Sequence, residues 1–451
     1  MSLILTSILL AIVGGVLFSL IGFVSGSDET ATMVPFTLLV ILLGAPPVAV
    51  FSFFMAAVIS KHLTHAAPTA LLGIPGDTMM VPLLDYTENL RKLGVPHIAL
   101  RKMISGGVIG AFIAFPVSLL FAQFLGQFAD FFKTYTGVIF AVATFIIAYF
   151  SKGKWVSVFL IIPFGLFIQG LNGVAMSVLH KGLAISFFLG IAIGPMFSDI
   201  LIALSKSARK SVVRNEPKDY HLAPEIKSWT GYFPNPLKIL TGLQKGLVAI
   251  ASFITSLTFT FSPTGMTALM GELIGSRLKG FYKKPTTTLS VMNGVTESTY
   301  IAETIIPLAA FGIPLSPMAL GPASPLFNAP PVFSTKHNLH HLMSYWDFFI
   351  YGAIGLIIGA LIAYPLVMNY ARKATVFILK HISQEAIIGM FVAIVCVIAF
   401  YEGGLVGLFV TFTVASVGGL LNRILGVSSG VQFMIYYSSS WLMAALIGLG
   451  A

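Results

Sequence analysis

The sequence predicts an all-α polytopic membrane protein of about ten to twelve transmembrane helices, arranged as two inverted repeats with broken, re-entrant helical hairpins. Three observations carry this expectation: the apolar content, a pair of landmarks recurring at one fixed offset, and an exchange of positive charge between the recurring segments. The chain is 57% hydrophobic and 9% charged, against roughly 25% charged in soluble domains. Apolar runs at 104–120, 139–150 and 353–367 approach the roughly 20 residues that carry a helix across a bilayer. The short alternating segments of a membrane β-barrel are absent.

The N-terminal run MSLILTSILLAIVGG has no basic flank and no cleavage pattern, so it reads as the first membrane helix. The most polar segment, 205–236, cannot sit in hydrocarbon and divides the chain into a first repeat at 1–204, a basic cytoplasmic linker, and a second repeat at 237–451. Ser25-Gly26 is followed by Gly73-Ile74-Pro75, and Thr264-Gly265 by Gly312-Ile313-Pro314; both pairs are related by 239 residues. The basic stretch RLKGFYKK at 277–284 corresponds at that offset to the uncharged LLVILLGA at 38–45. Conversely, RKLGVPHIALRK at 91–102 corresponds to 330–341, where only Lys336 is a lysine or arginine. Positive charge marks cytoplasmic loops, so copies with exchanged charge are expected to insert in opposite directions. The alternative is a parallel duplication whose loop charges have drifted. The net charge of +10 follows from the same rule and calls for no nucleic acid. The single cysteine, Cys396, excludes an internal disulfide.

Four polar or glycine-rich stretches interrupt the apolar chain: SGSDETAT at 25–32, THAAPTALLGIPGDT at 64–78, FSPTGMTALMGE at 261–272 and NGVTESTYIAETIIPLAAFGIPLS at 293–316. Each is expected to break a helix, because proline removes a backbone donor and glycine relaxes the dihedral limits. Irregular backbone at membrane depth must face protein or a watery cavity. Helices starting after such breaks aim free N–H groups at an anion. Candidate substrate-binding positions are therefore Ser25, Gly26, Ser27, Gly76, Thr78, Thr264, Gly265, Ser298, Thr299, Gly312 and Ser316. Intramembrane carboxylates are costly and normally bind a cation, a proton or a basic partner. This makes Asp28, Asp77, Glu297 and Glu303 the candidates for ion coupling, with Asp77 and Glu297 preferred.

The order GFVSGSDETATMVPFTLL, ALLGIPGDTMMVPLLDYTENLRKLGVPHIAL, SPTGMTALMGELIGSRLK and NGVTESTYIAETIIPLAAFGIP resembles the large membrane subunit of the tripartite tricarboxylate transporters. Asp85-Tyr86, Gly94 and Ala99-Leu100 match that family's segment after the first Ile-Pro-Gly break. Gly294-Val295, Glu297, Ala302, Pro307-Leu308 and Gly312-Ile313-Pro314 match the pattern of its second half. The family's paired asparagines are replaced by Tyr300 and Ile301, its last glycine by Leu315, and its first Pro-Gly by Ser25-Gly26. The resemblance implies carboxylate uptake driven by an ion gradient, with a soluble extracytoplasmic binding protein and a small membrane subunit as partners.

The expected function is thus secondary-active transport of a small organic anion coupled to Na+ or H+, with no cofactor, in the cytoplasmic (inner) membrane. The two halves would cradle the substrate and move as a unit, in the manner of an elevator, against the other helices; a homodimer would supply a fixed scaffold. Asp28 and Glu29 leave room for an amino acid or other amine-bearing solute. An intramembrane enzyme is a further alternative: Pro75-Gly76-Asp77 is similar to half of a membrane aspartyl protease signature, but Ile74 replaces its first glycine. His337, His340 and His341 have metal-like spacing in a polar stretch and read as solvated loop histidines. A lipid-carrier flippase would need midplane basic residues, for which only Lys61 and His62 offer themselves.

Overall fold

The computed structural model describes residues 2–25, 27–128, 135–151, 153–180, 182–206, 222, 227, 229–334, 336–381 and 384–449. The principal helices are α1 (Leu3–Gly22), α2 (Glu29–Leu42), α3 (Pro47–Leu72), α4 (Leu84–Lys92), α5 (Pro96–Gly126), α6 (Thr136–Phe150), α7 (Ile161–Leu179) and α8 (Ala184–Leu204). The second half adds α9 (Gly242–Thr255), α10 (Pro263–Gly275), α11 (Lys283–Ile306), α12 (Tyr345–His381), α13 (Gln384–Leu425) and α14 (Ser429–Leu449). Single-turn helices and a 3-10 stretch at Thr78–Leu83 fill the connections. Prolines open α3, α5 and α10, where their fixed φ suits a first turn and no N–H is missed.

Seven helices among the described residues are long and apolar enough to cross a membrane: α1, α3, α5, α7, most of α8, α12 and α13. The smaller number than expected has identifiable causes. Helix α13 runs as one element through non-helical dihedrals at Gly403 and Gly404. Helices α2 and α9 are apolar but short. Helix α11 is 24 residues long, but threonines, serines, Asn293, Glu297 and Glu303 lower its hydropathy. It is nonetheless buried from Pro285 to Ile306, so its polar side chains meet protein rather than lipid.

The core is organised around α3 and α11. Helix α3 packs on α1 and α12, and α11 packs on α9, α10 and α5, so each long buried helix takes one major neighbour from the other half. Small residues allow these approaches. A Cβ on Gly106 would meet the Ser290 backbone, and one on Gly110 the Gly294 backbone, which makes α5 and α11 parallel. Ser52 Oγ donates to Tyr351 O at 2.7 Å and Ser60 Oγ to Gly359 O at 3.2 Å, so α3 and α12 are parallel too. Phe51 and Phe115 meet over Gly352, whereas Leu63 approaches Gly107, so α3 and α5 are antiparallel. It follows that α3 and α11 run antiparallel. A second group, α6, α7, α8, α13 and α14, packs through Gly190, Gly194 and Gly419 and joins the core at α2.

The repeat offset seen in the sequence reappears in the caps. Ser2 and Thr241 cap α1 and α9, and Gly73 and Gly312 close the two long helices in the left-handed conformation, at φ 73° and 66°. Asp77 and Ser316 then cap the turns that follow. The breaks themselves are narrower than the sequence suggests. Helix α3 continues through Pro68 to Leu72, and α11 is unbroken from Lys283 to Ile306 before a π turn at Pro307–Phe311. Helix α2 starts at Glu29 and α10 at Pro263. Polar residues at 64–69 and 293–304 thus belong to helices: Thr64, Thr69 and Thr296 bond carbonyls one turn back and Asn293 a neighbouring helix, without opening the main chain. Most of the 205–236 linker lies outside the described residues; within it, Trp229 lies 4.5 Å from the Arg101 guanidinium carbon.

Candidate functional site

The sequence Lys61-His62-Leu63-Thr64-His65 places three basic side chains within about one turn of α3. All three are fully buried. Helical spacing projects Lys61 and His65 to one side and His62 beside them, and acids from three other segments converge on them. Lys61 Nζ donates to Ser27 O at 3.0 Å and to Glu29 Oε1 at 3.3 Å, and lies 3.7 Å from Asp77 Oδ2. His62 uses both ring nitrogens: Nε2 is 2.6 Å from Glu29 Oε1 and Nδ1 is 2.9 Å from Glu297 Oε2. His65 Nδ1 is 2.7 Å from Asp77 Oδ2. The two imidazoles stack with centroids 5.2 Å apart, and Tyr300 stands edge-on to His62 at 4.5 Å.

The backbone explains how these groups stay in place. Asp28 accepts from Ala31 N at 2.9 Å and caps α2, which holds Glu29 at the helix start facing α3. Asp77 accepts from Met79 N at 2.9 Å, and Gly76 N donates to Thr69 Oγ1 at 3.0 Å, so the chain after Gly73 folds back onto α3. A Cβ on Gly76 would collide with the His65 backbone, which is why this return is possible only at glycine. Asn293 donates to Met103 O at 3.0 Å and fixes α11 against α5, with Glu297 one turn further on. The cluster sets three carboxylates against one ammonium and two imidazoles.

The predicted positions divide into three groups. Asp77 and Glu297 meet through the stacked histidines, although Glu297 lies within α11 rather than at a break. Ser27 contributes its carbonyl to Lys61, and Gly76 its close approach to His65. Ser25, Ser27 and Thr299 each carry a buried hydroxyl oxygen without a hydrogen-bond partner, and Thr30 packs under Gly321, joining the first break to the chain just after the fourth. The rest serve other contacts. Glu303 accepts from Met318 N at 3.1 Å and Ser316 Oγ donates to Glu303 O at 2.5 Å, a local brace of the fourth break. Ser298 bonds Thr255 at 2.6 Å, Thr264 is half-buried, and Thr78 and Gly265 are exposed, Gly265 N donating to Ser262 Oγ. Gly312 lies under His340, whose Nδ1 is 3.1 Å from Ala309 O, so that histidine braces the break rather than facing solvent. Gly26 falls outside the described residues.

Lys61 and His62 enter the sequence reading only as flippase candidates, and His65 does not enter it. The signal that finds them is three basic residues in the middle of a 26-residue helix otherwise apolar enough to span a bilayer.

A polytopic helical protein with a buried cluster of carboxylates, a lysine and two histidines joining its two halves is of the membrane transporter class. The family model described as "Tripartite tricarboxylate transporter TctA family" matches residues 8–429, and the chain belongs to that family. It is accordingly a multi-pass membrane transport subunit and not an enzyme, which closes the protease reading. No curated protein and no solved structure matches the chain.

Proposed function

We propose that the chain is the permease of a secondary-active transporter for a small organic anion of the di- or tricarboxylate type. The observation that carries the reading is the meeting of α3 and α11 through His62 and Glu297, in a buried charged cluster that also holds Ser27, whose hydroxyl has no hydrogen-bond partner. Free hydroxyl donors suit carboxylate oxygens. The amine-bearing alternative has less support, because Asp28, Glu29 and Asp77 are already engaged by a cap, Lys61, His62 and His65.

Two copies related by one fixed offset, with α3 and α11 antiparallel, support an inverted repeat whose halves share the site. Alternating access then follows from movement of this core against the α6–α8 and α13–α14 group. The family's tripartite character supports a small membrane subunit and an extracytoplasmic binding protein as partners, and the cytoplasmic membrane as location. The test is thermal stabilisation of the purified protein by citrate, malate and lysine, followed by uptake of the stabilising compound into proteoliposomes. Stabilisation by a carboxylate and its gradient-driven uptake are expected; stabilisation by lysine alone would overturn the anion reading.

A further inference from the structure

A cation coupled to transport needs a cage of oxygens at membrane depth, and one is built around Lys61. Ser27 O, Glu29 Oε1 and Asp77 Oδ2 converge on its Nζ at 3.0, 3.3 and 3.7 Å. A main-chain carbonyl freed before α2 and two carboxylates are the donors that a hard monovalent ion would take. Glu29 and Asp77 also place ligand atoms within 4.8 Å of one from His65, a grouping able to hold a metal ion. The ammonium lies against two of those three. Its position is fixed by packing: a Cβ on Gly22 of α1 would collide with the Lys61 carbonyl, so α1 clamps the backbone that carries the side chain. The copy-related position in the second half is Tyr300, also buried beside His62. The two copies have therefore diverged where they meet, one offering a cation and the other a phenol.

We propose that the Lys61 ammonium is a resident cation standing where a coupling Na+ would otherwise bind, so that this chain takes no Na+ at this cage. The proposal deepens the anion-transport reading and rests on it for what is coupled, but the occupancy of the cage is independent of any substrate. The groups facing His62 and Lys61 are Asp28 and Glu29 from α2, His65 from α3, Asp77 from the turn beyond it, and Glu297 and Tyr300 from α11. Helices α1, α5 and α12 present Gly22, Gly107 and Gly359 to the same region. With the ammonium in place, a Na+ ion has no oxygen cage left to enter.

The test compares wild type and Lys61→Ala in sodium chloride and in choline chloride, by melting temperature and by binding of radioactive sodium. Wild type should melt at one temperature in both salts and bind no sodium saturably. Lys61→Ala, which exposes the cage, should melt a few degrees higher in sodium chloride and bind sodium saturably. If Lys61→Ala is not recovered in either salt, Lys61→Gln, of similar length and without charge, is read the same way. Saturable sodium binding by wild type, or a folded uncharged variant indifferent to sodium, overturns the proposal. No organic anion is used, so failure of citrate to bind would count against the transport reading alone.

Discussion

His62 touches Glu29 and Glu297 at once, and this bridge determines what a single substitution does. Removing one partner of a buried charged pair costs about 3–5 kcal/mol, because the other partner is left uncompensated. Glu297→Ala is therefore expected to lower the melting temperature as well as abolish uptake. Glu297→Gln keeps a hydrogen-bonding group opposite His62 and should separate the effects, retaining most stability while losing gradient-driven uptake in proteoliposomes. A surface pair provides the contrast. Lys92 donates to Glu88 at 2.8 Å across exposed side chains, and that hydrogen bond holds the Glu88 carboxyl below its usual range. A depressed carboxylate contributes stability above its unfolded pKa and loses it as pH falls through the folded value. Solvent screens this pair, so Glu88→Gln should leave the melting temperature unchanged at neutral pH.

At the scale of elements, glycine decides two things: how closely helices cross and where they stop. Gly110 of α5 lies against the backbone of Gly294. Gly110→Leu would force α5 and α11 apart and pull Asn293 from Met103, so aggregated rather than monodisperse protein is expected on size-exclusion chromatography. Gly73 closes α3 at φ 73°, with the Arg91 guanidinium where a Cβ would lie. Gly73→Ala incurs left-handed strain of about 1–2 kcal/mol and displaces Arg91. A lower melting temperature should accompany it, with uptake weakened because Asp77 hangs from this turn.

At the scale of the molecule, the two basic loops fall on one side. Tyr86 donates to Gly271 O at 3.3 Å and packs on Gly275, which brings the segment before 91–95 beside the segment before 277–284. An inverted repeat under the positive-inside rule requires this side to be cytoplasmic. In a Cys396→Ser background, Lys92→Cys and Lys279→Cys should react with an impermeant thiol reagent only from the cytoplasm. Leu43→Cys and Val332→Cys should react only from outside. Labelling of Lys92 and Lys279 from opposite sides would refute the inversion.

Composition and hydropathy alone determine that this chain is a helical membrane protein, because a bilayer core admits few other solutions to backbone hydrogen bonding. The matched landmarks Gly73 and Gly312 are equally legible, since both close helices in the left-handed conformation that favours glycine. Motif order points to the family, and the cost of buried charge singles out Asp77 and Glu297. Only the tertiary structure decides how those acids are used. Whether an acid binds solute, caps a helix or pairs internally depends on groups distant in sequence: Glu297 meets His62 across 235 positions, Asp28 caps its own helix, and Glu303 braces a turn. The polar stretches at 64–69 and 293–304 fail as predictors of broken backbone for the same reason. Hydropathy assumes lipid around each residue, and here the neighbours are Lys61, His62, His65 and the helices that bury them.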